Sequence, residues 1–279
     1  MTAVPHDSRR TGLLAALLIA SGGSVACGGS EFPEVRGEPT AAGTVSVQPL
    51  SGAPLDRVGT LPANPLGLAA MGDVLLVGNR EDPWGFLRLT PQGGGVLRAE
   101  KIPMVEDEYS QRMGFTSVAW NGRAWVALTD GSWLGRSGSN LFTVHDAEDL
   151  HLLDAAPAPP MLGCLAWDGS GYWAATRKNT EDEPIPALLY RLSPEFEVLS
   201  EAPSPALGCQ GMTWDGAFLW LADVFSDLLY VVDVREAEPR VVRTVDPGLT
   251  YLSGVALYGG GIWVVEYGGN RLARVAGAR

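Results

Sequence analysis

Short apolar runs separated by Gly, Pro, Asn and Asp dominate this chain after its first forty or so residues. No long stretch carries the apolar period of about 3.6 residues that marks a helix. The pattern instead predicts short strands, four to a unit. A first strand is apolar, as in Phe115–Trp120 and Met212–Trp214. An Asp-Gly or Asn-Gly turn follows, with the positive φ that a two-residue hairpin requires. Second strands are expected at Ala124–Leu128, Tyr172–Thr176, Leu219–Ala222 and Ile262–Val265. Third strands are expected at Phe86–Leu89, Leu141–Val144, Leu188–Leu192, Leu228–Val232 and Leu272–Val275. Fourth strands read as Gly95–Ala99, His151–Asp154, Glu197–Glu201 and Arg240–Thr244.

The units repeat. Trp120-Asn121-Gly122 leads to Trp125, Trp167-Asp168-Gly169 to Trp173, and Trp214-Asp215-Gly216 to Trp220. Weaker copies are Leu257-Tyr258-Gly259 with Trp263 and Ala70-Met71-Gly72 with Leu75. Their first residues are 50, 47, 47 and 43 positions apart. A period near 45 with several strands per unit predicts an all-β fold, a β-propeller of five blades with four antiparallel strands each. The last copy ends after its third strand, so an N-terminal strand should complete it and remove the open edge. Leu55–Leu61 is the expected closing strand, with Thr44–Leu50 as the only spare strand for a sixth blade. The seven repeat tryptophans are expected to pack between blades, where burying such a ring is worth roughly 2–3 kcal/mol.

The first 26 residues read as an export signal: Arg9 and Arg10, the apolar run Leu13–Ala20, then Ser24-Val25-Ala26 as a cleavage site. The apolar run is too short to span a bilayer, and no later segment is long enough. Cys27 after the cleavage site resembles the lipid-modified cysteine of bacterial lipoproteins, although Ser24 stands where that family carries Leu. Ordinary secretion fits the same residues. Lipidation would place palmitate and other acyl chains at Cys27 and leave Cys164 and Cys209 as a candidate disulfide in an oxidising compartment. Residues 27–43 then form a flexible tether and 44–279 the propeller. The formal net charge is −12, and removing a segment of charge +1 leaves about −13. Such a surface excludes nucleic acid as an expected partner and confines membrane attachment to the anchor.

Variation is concentrated in the loops between second and third strands and in the loops leading into first strands. These share one face of the ring, opposite the Asp-Gly turns. The candidate ligand-binding residues there are Arg80, Trp84, Asp130, Trp133, Arg177, Gln210, Asp223, Phe225, Glu266 and Tyr267. Aromatic and charged groups around one mouth suit a binding site; solvated charges and aromatics that merely cap their own blades are the competing reading. No metal-ligand spacing, phosphate loop or nucleophile elbow is present. No cofactor is expected; Ca2+ through carboxylates such as Asp223 and Glu266 is the one ion the loops suggest.

The run Gln210–Asp223 followed by Leu228–Asp233 resembles a blade of the bacterial propellers related to the NHL and YWTD groups, and is similar to blades of the five-bladed glutamine cyclotransferases. The resemblance covers about residues 55–279 and lies mostly in repeat positions. Gln210-Gly211 resembles a cyclotransferase motif, but the catalytic acidic residue of those enzymes has no clear counterpart. The favoured expectation is a non-catalytic cell-envelope lipoprotein that binds a protein, peptide or glycan on the loop face. The alternative is an exported enzyme of the cyclotransferase or lactonase type.

Overall fold

A computed structural model describes residues 45–47, 50–51, 65–79, 85–93, 96–103, 115–130, 140–177, 187–267 and 269–275. They form strands and turns, with no helix among them. The strands are β1 (Val45–Val47), β2 (Leu50–Ser51), β3 (Pro65–Met71), β4 (Val74–Asn79), β5 (Gly85–Gly93), β6 (Val96–Pro103), β7 (Phe115–Trp120), β8 (Trp125–Asp130), β9 (Asn140–His145), β10 (Leu152–Ala158), β11 (Leu162–Trp167) and β12 (Tyr172–Thr176). They continue as β13 (Leu188–Leu192), β14 (Val198–Pro203), β15 (Cys209–Trp214), β16 (Leu219–Asp223), β17 (Leu229–Asp233), β18 (Arg240–Val245), β19 (Leu252–Tyr258), β20 (Gly261–Glu266) and β21 (Arg271–Val275). Each group of four from β3 to β18 is one antiparallel blade, and β19–β21 make the fifth. The inner strands β3, β7, β11, β15 and β19 touch in sequence, and β19 returns to β3. The result is the closed five-bladed propeller that the repeat predicts.

Closure uses a different strand from the one expected. Val45–Val47, not Leu55–Leu61, pairs antiparallel with β21 and completes the last blade; residues 55–61 lie outside the described set. The two valines of this stretch, on either side of Ser46, supply the β-prone edge that the blade lacks. A further departure is β2, which pairs parallel with β6 and makes the first blade five-stranded.

The turns also differ from expectation. Between first and second strands, the described two-residue hairpins are at Gly72-Asp73 in the first blade and Gly259-Gly260 in the last. The middle turns are one step wider because the Asx side chain itself organises them. Asp215 Oδ1 accepts from the N–H groups of Ala217 and Phe218, both at 2.8 Å. Asp168 does the same for Ser170 and Gly171, and Asn121 for Arg123 and Ala124. The second carboxylate oxygen reaches the next strand: Trp220 Nε1 donates to Asp215 Oδ2 at 2.7 Å, and Trp173 Nε1 to Asp168 Oδ2 at 3.0 Å. The motif is thus one hydrogen-bonded unit, in which the acid joins the turn to the indole on the strand that follows it. Burial pushes the Asp168 carboxyl up, but Ser170, Arg191 and Trp173 outweigh it and hold the group below the usual carboxylate range.

Trp125 is not the counterpart of Trp173 and Trp220. Its spacing from the first tryptophan is one residue shorter, and strand residues alternate faces. It pairs with Trp120, as Tyr172 pairs with Trp167, whereas Trp173 pairs with Ala166. Trp125, Trp220 and Trp263 are buried, as expected of inter-blade packing. Trp120, Trp167, Trp173 and Trp214 are only half-buried. Burial of Tyr172 pushes its hydroxyl up to about 12, even though it accepts from Asn121 Nδ2 of the neighbouring blade at 2.8 Å.

Every inner strand slips register at one residue near its start: Gly67, Thr116, Gly163, Gln210 and Ser253. Such a bulge bends a strand and re-aims one side chain. It repeats five times around the axis, at the loop-face end of the channel. The strands converge tightly there, since a Cβ on Gly211 would stand 2.5 Å from the Gly254 Cα.

Candidate functional site

The loop face carries a cup of about 240 Å³ lined by Leu66, Arg177, Gln210, Val224, Phe225, Tyr251, Ser253 and Tyr267. These come from four blades. Leu66, Gln210 and Ser253 lie at the starts of inner strands, where the bulge at Gln210 and Ser253 lets a polar side chain line the channel mouth. Arg177, Val224, Phe225 and Tyr267 follow the ends of second strands, and Tyr251 precedes β19.

Its floor is polar and nearly closed to solvent. Gln210 is 3% exposed. With its amide oriented so that the carbonyl oxygen meets the guanidinium, it accepts from Arg177 Nε at 2.6 Å. The Ser253 hydroxyl donates to the Pro65 carbonyl at 2.8 Å. Its rim is aromatic and open, with Phe225 54% and Tyr251 58% exposed. Tyr251 is held in the left-handed region at φ 54°. Its N–H donates to Asp227 Oδ1 at 2.6 Å, and its carbonyl accepts from the Tyr267 N–H at 2.9 Å. A bulky residue fixed at positive φ is a conformational cost that the surrounding bonds must sustain.

Four of the residues expected from the sequence therefore meet in one cup: Arg177, Gln210, Phe225 and Tyr267. Asp223 and Glu266 do not join them. Both are buried, and their oxygens are turned to their own loops. Asp223 Oδ1 accepts from Gly208 N–H at 2.9 Å and Phe225 N–H at 3.1 Å, and Oδ2 from the Ser226 hydroxyl at 3.0 Å. Glu266 takes the Arg271 guanidinium and the Thr250 N–H and hydroxyl. Arg271 holds its carboxyl below the usual range against the upward push of burial, with help from the Thr250 N–H. Both oxygens of each carboxylate are thus engaged by protein donors around their own loops. They shape the loops that carry Phe225 and Tyr251. Arg80, Trp84, Trp133 and Cys27 lie outside the described residues, as does the side chain of Asp130.

Tyr251, Ser253, Val224 and Leu66 were not expected. Ser253 and Leu66 read as ordinary strand residues, and only the bulge turns that end of the strand toward the mouth. Tyr251 carried a readable signal, since it occupies a loop leading into a first strand. Cys164 and Cys209 are joined as a disulfide between the third and fourth blades, with Cα atoms 5.8 Å apart.

The opposite end of the ring has a cavity of about 190 Å³, rimmed by Trp120, Trp167, Trp214 and Leu257. This accounts for the half-buried inner tryptophans: each packs on its own inter-blade wedge and lines the channel with its free side. Elsewhere, Asp146, Asp149 and His151 approach within 4.8 Å in the β9–β10 turn. Asp146 caps Glu148 and Asp149, and Asp149 bonds His151. They organise an exposed turn.

No protein-family model and no curated protein matches the chain. Solved structures do. The Myxococcus xanthus glutaminyl cyclase superposes with a TM-score of 0.59 at 12% identity, over 85% of this chain and 97% of that one. A Kuenenia stuttgartiensis hydrazine synthase chain gives 0.46 at 15% identity over 74% and 69%. The Neurospora crassa Pan2 WD40 domain gives 0.46 at 8% over 87% and 98%. At these identities the first shows a shared fold, and the other two carry no argument.

Proposed function

We propose that this chain is an exported, lipid-anchored propeller of the bacterial cell envelope that binds a peptide or glycan segment in the loop-face cup without transforming it. The observation that carries the reading is the division of labour at the cup. Its rim presents two aromatic rings to solvent, whereas the neighbouring carboxylates Asp223 and Glu266 are committed as loop acceptors. An aromatic rim over a polar floor favours ligands with one apolar face and a few hydrogen-bonding groups. A general acid or base must be free to exchange a proton with substrate, and no carboxylate lines the described cup.

The anchoring half rests on the sequence: Arg9, Arg10, the apolar run Leu13–Ala20 and Cys27 directly after Ser24-Val25-Ala26.

The cyclotransferase reading has the fold likeness to a glutaminyl cyclase and the Gln210-Gly211 pair in its favour. One experiment addresses both. Residues 28–279 are applied to peptide and glycan arrays beside the F225A/Y251A double variant, and peptides with N-terminal glutamine are monitored for ammonia loss by mass spectrometry. Ligands bound by the parent and lost by the variant are expected. Binding indifferent to the double substitution would remove the cup assignment, and turnover by the parent would replace the binding role with the enzyme.

A further inference from the structure

The seam between the third and fourth blades carries both the disulfide and the polar floor of the cup. Three of the cup's lining residues are fixed within a few residues of that bridge. Gln210 follows Cys209 directly and is the bulged residue of β15. Arg177 belongs to the adjoining blade, where its N–H donates to the Met161 carbonyl at 2.6 Å, and its backbone pairs with Gly208, the residue before Cys209. Gly208 also supports Phe225: a Cβ there would stand 2.5 Å from the Phe225 ring, and the Gly208 carbonyl accepts from the Val224 N–H at 3.1 Å. On the Cys164 side, a Cβ on Gly163 would overlap the Cys209 carbonyl oxygen and lie 2.6 Å from the Arg177 Cβ. The two blades thus approach as closely as backbone permits, and glycine allows it on both sides.

The other seams close without covalent help. Their inner strands also approach backbone to backbone, a Cβ on Gly67 standing 2.6 Å from the Ser117 Cα, and are joined by bonds such as Leu165 N–H to Ser117 Oγ at 3.1 Å. Arg177 and Gln210 also sit on different blades, and their contact depends on the relative position of two sheets. A contact of this kind is sensitive to displacements of an ångström, which a covalent bridge at the next residue suppresses.

We infer that the Cys164–Cys209 disulfide is the positioning element of the cup, setting the Arg177–Gln210 contact across the blade seam, so that the site is complete only in the oxidised protein. This rests on the binding role assigned to the cup. Closing the bridge removes two protons and two electrons from the thiol pair; the electrons pass to a disulfide oxidant by thiolate exchange. Oxidation in the exported compartment would then complete both the molecule and its site.

The test needs no ligand. The Gln210 side-chain amide and the Arg177 Nε–H are followed by 1H–15N NMR on residues 28–279, assigned by their loss in Q210M and R177K. The indole Nε1–H signals of Trp220 and Trp263, bonded to Asp215 and the Tyr258 carbonyl, report the rest of the ring. In C164S/C209S, and in wild type reduced with a dithiol, the two cup signals are expected to move by more than their line width while both indole signals stay in place. Unmoved cup signals in a folded, bridge-free protein would overturn the inference and leave the disulfide as stability alone. Should C164S/C209S fail to fold, C164A/C209V refills the volume. Loss of indole and cup signals together in every bridge-free form would also overturn it, because the bridge would then hold the whole ring. Failure of the array experiment with a positive NMR result would refute the ligand class and leave the positioning role standing.

Discussion

Replacing Asp215 tests the reading of the repeat motif as one hydrogen-bonded unit. In D215A, Ala217 and Phe218 lose their side-chain acceptor at the turn, which costs about 1 kcal/mol by analogy with other side-chain caps. The Trp220 indole N–H loses its partner as well. Trp220 is 1% exposed, so water cannot replace the carboxylate without opening the blade. An orphaned buried donor costs about 1–3 kcal/mol. The expected loss is therefore about 2–4 kcal/mol, or about 5–15 °C in Tm at the 2–4 °C per kcal/mol of a ring this size. D215N separates the two parts. It keeps Oδ1 for the turn but can set an NH2 group against the indole, so it should lose about 1–3 kcal/mol. In a W220F background, where the indole donor is gone, that D215N penalty should vanish. Urea and thermal unfolding of residues 28–279 measure wild type, D215A, D215N, W220F and D215N/W220F. A D215A protein within about 0.5 kcal/mol of wild type would refute the reasoning, because that is the scale of an ordinary surface change. So would an undiminished D215N penalty in the W220F background.

Three further outcomes follow from the same geometry. G211A should cost about 3 kcal/mol or prevent folding, since its Cβ meets the Gly254 backbone, which has no rotamer to yield; G72A, at φ 54° in open space, should cost only about 1–2 kcal/mol, and equal losses by calorimetry would contradict the convergence of the inner strands. F225A/Y251A should unfold within about 0.5 kcal/mol of wild type, because both rings are more than half exposed, and a large drop in Tm would mean that the rings serve packing rather than binding. Glu266 has a folded pKa below its ordinary value of 4.5. Its stabilisation is therefore present above about pH 4.5 and lost as pH falls through the lower folded value. Wild type should lose stability between neutral pH and pH 3 more steeply than E266Q, and parallel pH profiles in urea titrations would show that Arg271 and Thr250 do not stabilise the ionised form.

The repeat spacing, the strand count per unit and the closure of the last blade from the N-terminus were all legible in the one-dimensional pattern. They depend on local turn chemistry and on a period that any blade must keep. The strands Tyr172–Thr176 and Leu188–Leu192 were legible to the residue, because polar turns bound them on both sides. The pattern misassigned the strand that closes the ring: Leu55–Leu61 was expected, and only the pairing of Val45–Val47 with β21 identifies the segment that does so. Trp125 shows the same limit at one residue: its aromatic character marks a repeat, but the face it occupies follows from strand register. The cup shows it most clearly. Arg177, Gln210, Phe225 and Tyr267 could be assigned to one end of the ring from loop order alone. Asp223 and Glu266 stood in the same loops, and nothing local distinguishes a carboxylate that faces a ligand from one that binds its own backbone. That depended on where the Gly208 and Thr250 N–H groups point, on the inner-strand bulge that turns Gln210 and Ser253 to the mouth, and on the approach of two blades at Cys164 and Cys209. These are relations between residues far apart in the chain, set by the way sheets pack around an axis.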